Sequence, residues 1–145
     1  MFLGQYTHSF DEKGRLTIPV KYREALLVGA YVTQGFDKNL MVWTAPLFEQ
    51  IYTQVNDLSI TDPNARLLKR LIFSNAVQVE IDRAGRILIP QYLREAVNLD
   101  GSAIVVGVGD YFEIWADIHW QQQNTQMQDS DSNAQRFAAL NLSAR

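Results

Sequence analysis

Apolar residues along the chain change their spacing in an order that runs through twice. Tyr6, His8 and Phe10 alternate with Thr7 and Ser9, and Val77, Val79 and Ile81 alternate with Gln78 and Glu80. Both are period-two patterns of half-buried strands. A second short strand follows each, at 16–18 and 87–89, so the residues between them connect a hairpin, and Gly14 and Gly85 supply the backbone freedom of a tight turn. Pro19 and Pro90 mark a switch, because the residue before a proline stays extended while proline itself suits the first turn of a helix. Short helices are predicted from 19 to about 27 and from 90 to about 97. Further hairpins follow: 30–33 and 40–43 flank a turn at 35–39, and 103–108 and 111–115 flank Gly109-Asp110. The unit reads strand, tip, strand, helix, strand, turn, strand.

Helical spacing takes over between the two units. Leu47, Phe48, Ile51, Tyr52, Val55 and Leu58 share one face after Pro46, and Asp62-Pro63 opens a second helix with Leu67, Leu68, Leu71 and Ile72 together. Asp117 is a candidate cap for a helix carrying Trp120, which stands where the first unit has Phe48. From 121 to 132 the sequence is almost wholly Gln, Asn, Ser and Asp, which cannot repay the entropy of ordering. It reads as a frayed helix end or linker ahead of a weakly helical 134–142. The expected division is therefore a first repeat with its following helix over 1–60, a connecting helix over 61–75, a second repeat over 76–120 and a polar, partly helical or disordered tail over 121–145.

The repetition extends to residue identity. Asp11-Glu-Lys-Gly-Arg15-Leu-Thr-Ile-Pro19 returns 71 positions later as Asp82-Arg-Ala-Gly-Arg86-Ile-Leu-Ile-Pro90, and Arg23-Glu24-Ala25 returns as Arg94-Glu95-Ala96. Each unit has roughly 50 residues, a size at which a separate core is marginal, so the two are expected to pack as one intertwined body.

Composition narrows the function. The 145 residues are 47% hydrophobic and 20% charged, as in globular proteins, and no apolar run reaches membrane-spanning length. The opening Met1-Phe2-Leu3-Gly4 has no basic flank or long apolar core and is not read as a secretory signal. With no cysteine, disulfides, thiolate catalysis and cysteine-based metal sites are excluded, which suits a reducing cytoplasm. A net charge of -3 argues mildly against a polyanion partner, yet ten of the 13 basic residues fall in three clusters: Lys13, Arg15, Lys21 and Arg23; Arg66, Lys69 and Arg70; Arg83, Arg86 and Arg94. An acidic protein can still present one basic face.

The doubled tip carries the candidate chemistry. An arginine held by its own aspartate is a pre-oriented fork that matches guanine O6 and N7 or a pair of phosphate oxygens. The plainer alternative is a wet surface pair in which Asp accepts turn hydrogen bonds. Duplication favours the first, since a duplex reader gains from two equivalent tips, and each has a further cation beside it, Lys13 or Arg83. Other features read as structural. His8 fills the slot of Val79, His119 has no metal-ligand spacing to it, Gly107-Val-Gly109-Asp110 joins two strands, and Trp43 and Trp115 are core. The Arg66, Lys69, Arg70 face is read as a solvated face or subunit seam ahead of a phosphate contact. No cofactor loop, metal site or clustered catalytic triad is recognisable.

With both signatures leading into an Ile-Pro step and an Arg-Glu-Ala helix, residues 1–120 resemble the MraZ family of the AbrB-like swapped-hairpin superfamily. The resemblance implies an α+β fold in which two AbrB-like swapped-hairpin repeats interlace into a β-barrel, an intrachain pseudo-dimer with connecting helices and a partly flexible C-terminal tail. It also implies a homo-oligomeric ring, and binding to double-stranded DNA at promoter repeats upstream of the division and cell-wall gene cluster. Arg15 and Arg86 are the implied DNA contacts, supported by Asp11, Gly14, Asp82 and Gly85. Lys13, Lys21, Arg23, Arg83 and Arg94 are candidates for phosphates. The competing expectation is a non-enzymatic, antitoxin-type module that meets a protein partner through its tail.

Overall fold

The computed structural model describes residues 1–143. Its elements repeat in order. The first copy holds β1 (Gln5–Ser9), β2 (Arg15–Thr17), α1 (Val20–Arg23) continued by a 3-10 turn (Glu24–Val28), β3 (Ala30–Gln34), β4 (Leu40–Thr44), α2 (Ala45–Asn56) and α3 (Pro63–Phe73). The second holds β5 (Val77–Val79), β6 (Arg86–Leu88), α4 (Gln91–Ala96), β7 (Ser102–Gly107), β8 (Phe112–Trp115), α5 (Asp117–Met127) and α6 (Ser130–Ala138).

The two copies interlace through their hairpins. Six antiparallel strands form one sheet in the order β1-β7-β8-β4-β3-β5, so β1 of the first copy lies on β7 of the second and β5 of the second lies on β3 of the first. The remaining strands, β2 and β6, pair with each other in a two-stranded ribbon. This is the expected swapped pseudo-dimer, with one correction. The strand pairings leave an open sheet and a separate ribbon and close no barrel, because β1 and β5 end the sheet while β2 and β6 share a ladder with each other and with no strand of the sheet.

Both sheet faces are covered, which explains why β4 is apolar almost throughout. Leu40 and Val42 face the main core with Leu16, Ile18, Ile87, Ile89, Leu93 and Phe112, so the ribbon and the short helices close this side. Met41 and Trp43 face the other way, onto Phe48 of α2. In the second copy Ile104, Val106 and Trp115 meet Trp120 of α5, so Trp120 does fill the place of Phe48. Each fully buried Leu, Ile or Phe contributes about 1.5–3 kcal/mol relative to exposure. Trp43 and Trp115 are core residues, as expected.

Helix ends follow the sequence in part. Asp62 caps α3 by accepting from the backbone N–H of Asn64 at 2.8 Å. Asp117 is not a cap: Ala116 holds that place and Asp117 lies in the first turn, where a negative charge still favours the helix dipole. The polar run is likewise more regular than a linker. α5 continues to Met127, and α6 starts at Ser130 behind Asp129, whose side chain accepts from the backbone N–H and the hydroxyl of Ser132. Trp120 anchors α5 to the sheet, and glutamine is a fair helix former, so the polar residues extend an already nucleated helix. The final two residues of the expected tail lie outside the described ones.

Candidate nucleic-acid interface

Each tip is built around one carboxylate. Asp11 Oδ1 accepts the backbone N–H groups of Lys13 and Arg15 at 3.0 and 2.9 Å, while its Oδ2 accepts from Arg15 Nε at 2.6 Å. Asp82 repeats this with Ala84 and Arg86 at 3.0 and 2.9 Å and with Arg86 Nε at 3.0 Å. The aspartate closes the turn with one oxygen and orients the guanidinium with the other. Since Nε is the nitrogen engaged, the terminal nitrogens of Arg15 have no protein partner among the described residues. Arg86 reaches Asp11 Oδ2 through Nη1 at 3.5 Å, so the two tips meet across the ribbon.

The ribbon sets their direction. In a strand, alternate side chains take opposite faces. Leu16 and Ile87 point into the core, so Arg15, Thr17, Arg86 and Leu88 share the outer face, and the register places Arg15 opposite Leu88 and Thr17 opposite Arg86. Both arginines are about one-third exposed, with Nε of each held by its own aspartate. Thr17 and Leu88 share this face but were not among the candidates read from the sequence, although period two counted from Arg15 and Arg86 reaches both.

Both aspartates titrate below the usual carboxylate range. The leading cause is the backbone N–H of Arg15 for Asp11 and of Arg86 for Asp82, with the arginine side chains and charges acting the same way and burial opposing. Because folding depresses both values, their contribution to stability is fully present above the ordinary aspartate pKa of about 3.9 and is lost as pH falls through the depressed folded values. Below about pH 4, the melting temperature of the wild type is expected to fall more steeply than that of the double variant Asp11→Asn, Asp82→Asn. Parallel acid titrations would remove these carboxylates from the response.

The remaining candidates divide. Lys13 and Arg83 are exposed beside the tips, and Lys21 is exposed on α1. Arg23 and Arg94 are instead half-buried and cross to the opposite copy. Arg23 Nε donates to Ile18 O at 2.8 Å, and its guanidinium covers Gly85; Arg94 Nε donates to Ile89 O at 3.0 Å and covers Gly14. Backbone bonds run the same way, from Ile18 N to Gly85 O at 2.8 Å and from Ile89 N to Gly14 O at 3.0 Å. The backbone bonds tie each tip to the other copy, and these two arginines pack against it and add positive charge beneath it.

Arg66 and Lys69 are engaged elsewhere. Arg66 donates to Ile60 O, and Lys69 to Leu58 O and Asn56 O, tying α3 to the carbonyls at and after the end of α2. Backbone acceptors of this kind leave no trace in a sequence pattern. His8 is half-buried, and its pKa is lowered first by burial and then by the charge of Arg23; His119 contacts Asn98 Oδ1 at 2.9 Å. A cleft lined by Glu113, Trp115, Trp120 and Gln123 contains no tip residue. Burial pushes the Glu113 carboxyl up, and Oε1 accepts from Trp115 Nε1 at 3.0 Å. Among the described residues, no three His, Asp or Glu gather as a metal site.

Comparison with known proteins adds the family. The sequence profile of the antitoxin-like "MraZ protein" matches twice, over residues 1–71 and 72–142, the same 71-residue period seen in the tips. A protein of Roseiflexus sp. (strain RS-1) named "Transcriptional regulator MraZ" is 46% identical over 138 residues, covering 95% of this chain and 94% of its own. Proteins of the same name from Thermomicrobium roseum and Lactiplantibacillus plantarum are 43% identical over 141 residues, with coverage of 97% and 99%, and 39% identical over 126, with coverage of 87% and 89%. Two profile matches in tandem and full-length similarity at this level make the chain a member of the MraZ family.

Proposed function

We propose that the protein is a sequence-specific DNA-binding transcriptional regulator that reads promoter repeats of the division and cell-wall gene cluster. The observation that supports this reading best is the outward ribbon face on which Arg15 and Arg86 lie together, each oriented through Nε. A major groove about 12 Å wide admits a two-stranded β-ribbon, and each bidentate arginine on guanine is worth about 1–3 kcal/mol of discrimination. Lys13, Arg83 and Lys21 meet flanking phosphates, while Arg23 and Arg94 act mainly by holding the tips and through their charge. The names of the relatives describe transcriptional regulation, a non-catalytic role.

So few cations on a chain of net charge -3 grip a duplex weakly, because affinity follows the number of phosphates neutralised. In this proposal a homo-oligomeric ring supplies the rest: several ribbons on tandem repeats raise the effective concentration of each further contact. No helix among the described residues is long and apolar enough to cross a membrane. The proposed setting is the cytoplasm, in association with the nucleoid.

Selection of bound sites from random duplex DNA, with the solution mass of the assembly, tests the proposal. The expected result is a recurring short motif bound by a multimer; a lone subunit without sequence preference would end it. One feature favours the antitoxin-type alternative: α6 has no buried residue and exposes Phe137 and, just beyond it, Leu140. Removing 129–145, which spares α5, separates the two. Retained operator affinity is expected, whereas loss of the main function with tips intact would favour a partner bound by the tail.

A further inference from the structure

The two ends of the ribbon are not alike. The repeat relates Arg15 to Arg86, and it equally relates Thr17 to Leu88, two positions onward in each copy. Thr17 lies opposite Arg86 and Leu88 opposite Arg15, so each arginine has a different neighbour across the ribbon. Leu88 is 53% exposed at one end of this outer face, across from Arg15. A solitary surface leucine means little by itself. Here it shares a face whose other members are two arginines and a threonine, on a ribbon whose opposite face is fully packed.

We infer that Leu88 is a specificity-determining residue that contacts the C5 methyl group of a thymine beside the base read by Arg15, giving the subunit one preferred orientation on its site. This rests on the DNA-reading proposal above. In the major groove the thymine methyl is the one apolar feature of a base edge; the other positions offer donors or acceptors. A leucine can offer them nothing, and seating it on the amino group of cytosine or adenine would strip water from a polar group without replacing its hydrogen bond. The threonine hydroxyl both donates and accepts, so Thr17 tolerates several bases where Leu88 favours one. Twofold-related arginines flanked by unlike neighbours therefore read an asymmetric element, and reversing the duplex sets Leu88 on a different base.

The test uses the full-length protein and the operator obtained by selection. Each thymine is replaced in turn by deoxyuridine, which removes only the methyl group. Wild type should weaken about fourfold at one position, the equivalent of one buried methyl. Leu88→Ala should be insensitive to that replacement while keeping its melting temperature and assembly mass. Leu88→Thr, which makes the two ends alike, should select a more twofold-symmetric site. The inference is overturned if wild type binds specifically but ignores every uracil replacement, or if the operator has no thymine. It is also overturned if Leu88→Ala changes the assembly mass with base preference unchanged, which would assign Leu88 to a seam between copies. Absence of any sequence preference in wild type would be distinct, removing the DNA reading and with it this refinement.

Discussion

Replacing Arg15 and Arg86 together with alanine is expected to weaken specific operator binding by at least about 30-fold, with simple addition of about 1–3 kcal/mol for each arginine setting a ceiling of about 2 × 10⁴-fold. Thermal stability should change little. Asp11 Oδ1 and Asp82 Oδ1 bond only to backbone N–H groups, and those bonds survive loss of the arginine side chains. The single substitutions should not combine additively, because Asp11 Oδ2 accepts from both guanidinium groups and removing either frees it for the other. Salt titration provides an independent check: the arginine variants should change base preference more than salt slope, whereas Lys13→Ala should do the reverse. Unchanged affinity in the double variant, or loss of fold in both single variants without a separate binding defect, would return these arginines to a structural role.

Gly85→Val is expected to lower stability by about 2–4 kcal/mol, combining about 1–3 for a strained backbone with about 1 for a broken hydrogen bond. Gly85 has φ +78°, a region a β-branched residue tolerates poorly. A Cβ there would also come within 2.3 Å of Cζ and Nε of Arg23. That guanidinium is the movable end of a side chain, but moving it gives up the 2.8 Å bond to Ile18 O. For a chain of this size the melting temperature should fall by about 5–15 °C. Ala84→Val, at an exposed position of the same tip, is the control and should be nearly neutral. Equal melting temperatures for the two variants would contradict the turn geometry.

Much of this architecture was legible because local chemistry was written twice. A positive-φ glycine three residues after an aspartate and just before an arginine defines the same turn at Gly14 and Gly85, and the Ile-Pro step ends both ribbon strands. The repeat also marked Trp43 and Trp115 as equivalent core positions, and each lies in a buried cluster. What remained hidden depends on partners distant in sequence. Arg23 and Arg94 look like free cations until the exchange of hairpins brings Gly85 and Gly14 beneath them. Arg66 and Lys69 look like a basic stripe until the loop after α2 turns its carbonyls toward them. The polar run after Trp120 misled in the opposite direction: composition measured its lack of core residues correctly, but a helix anchored at one end needs few of them.

The exchange of β1 and β5 between copies has a consequence for how the chain is made. β1 is synthesised first, yet its strand partner, β7, is translated about a hundred residues later. At typical elongation rates that is a wait of ~5–20 s. Throughout it, the leading hairpin has no bed to lie in and no native side to offer a neighbouring nascent chain except its own bare backbone. Two ribosomes close together on one message would carry such hairpins at the same time, and either could settle on the other's second half. A single chain that completes itself only at its far end thus leaves open a domain-swapped product, and slower translation of the later half would enlarge that opportunity.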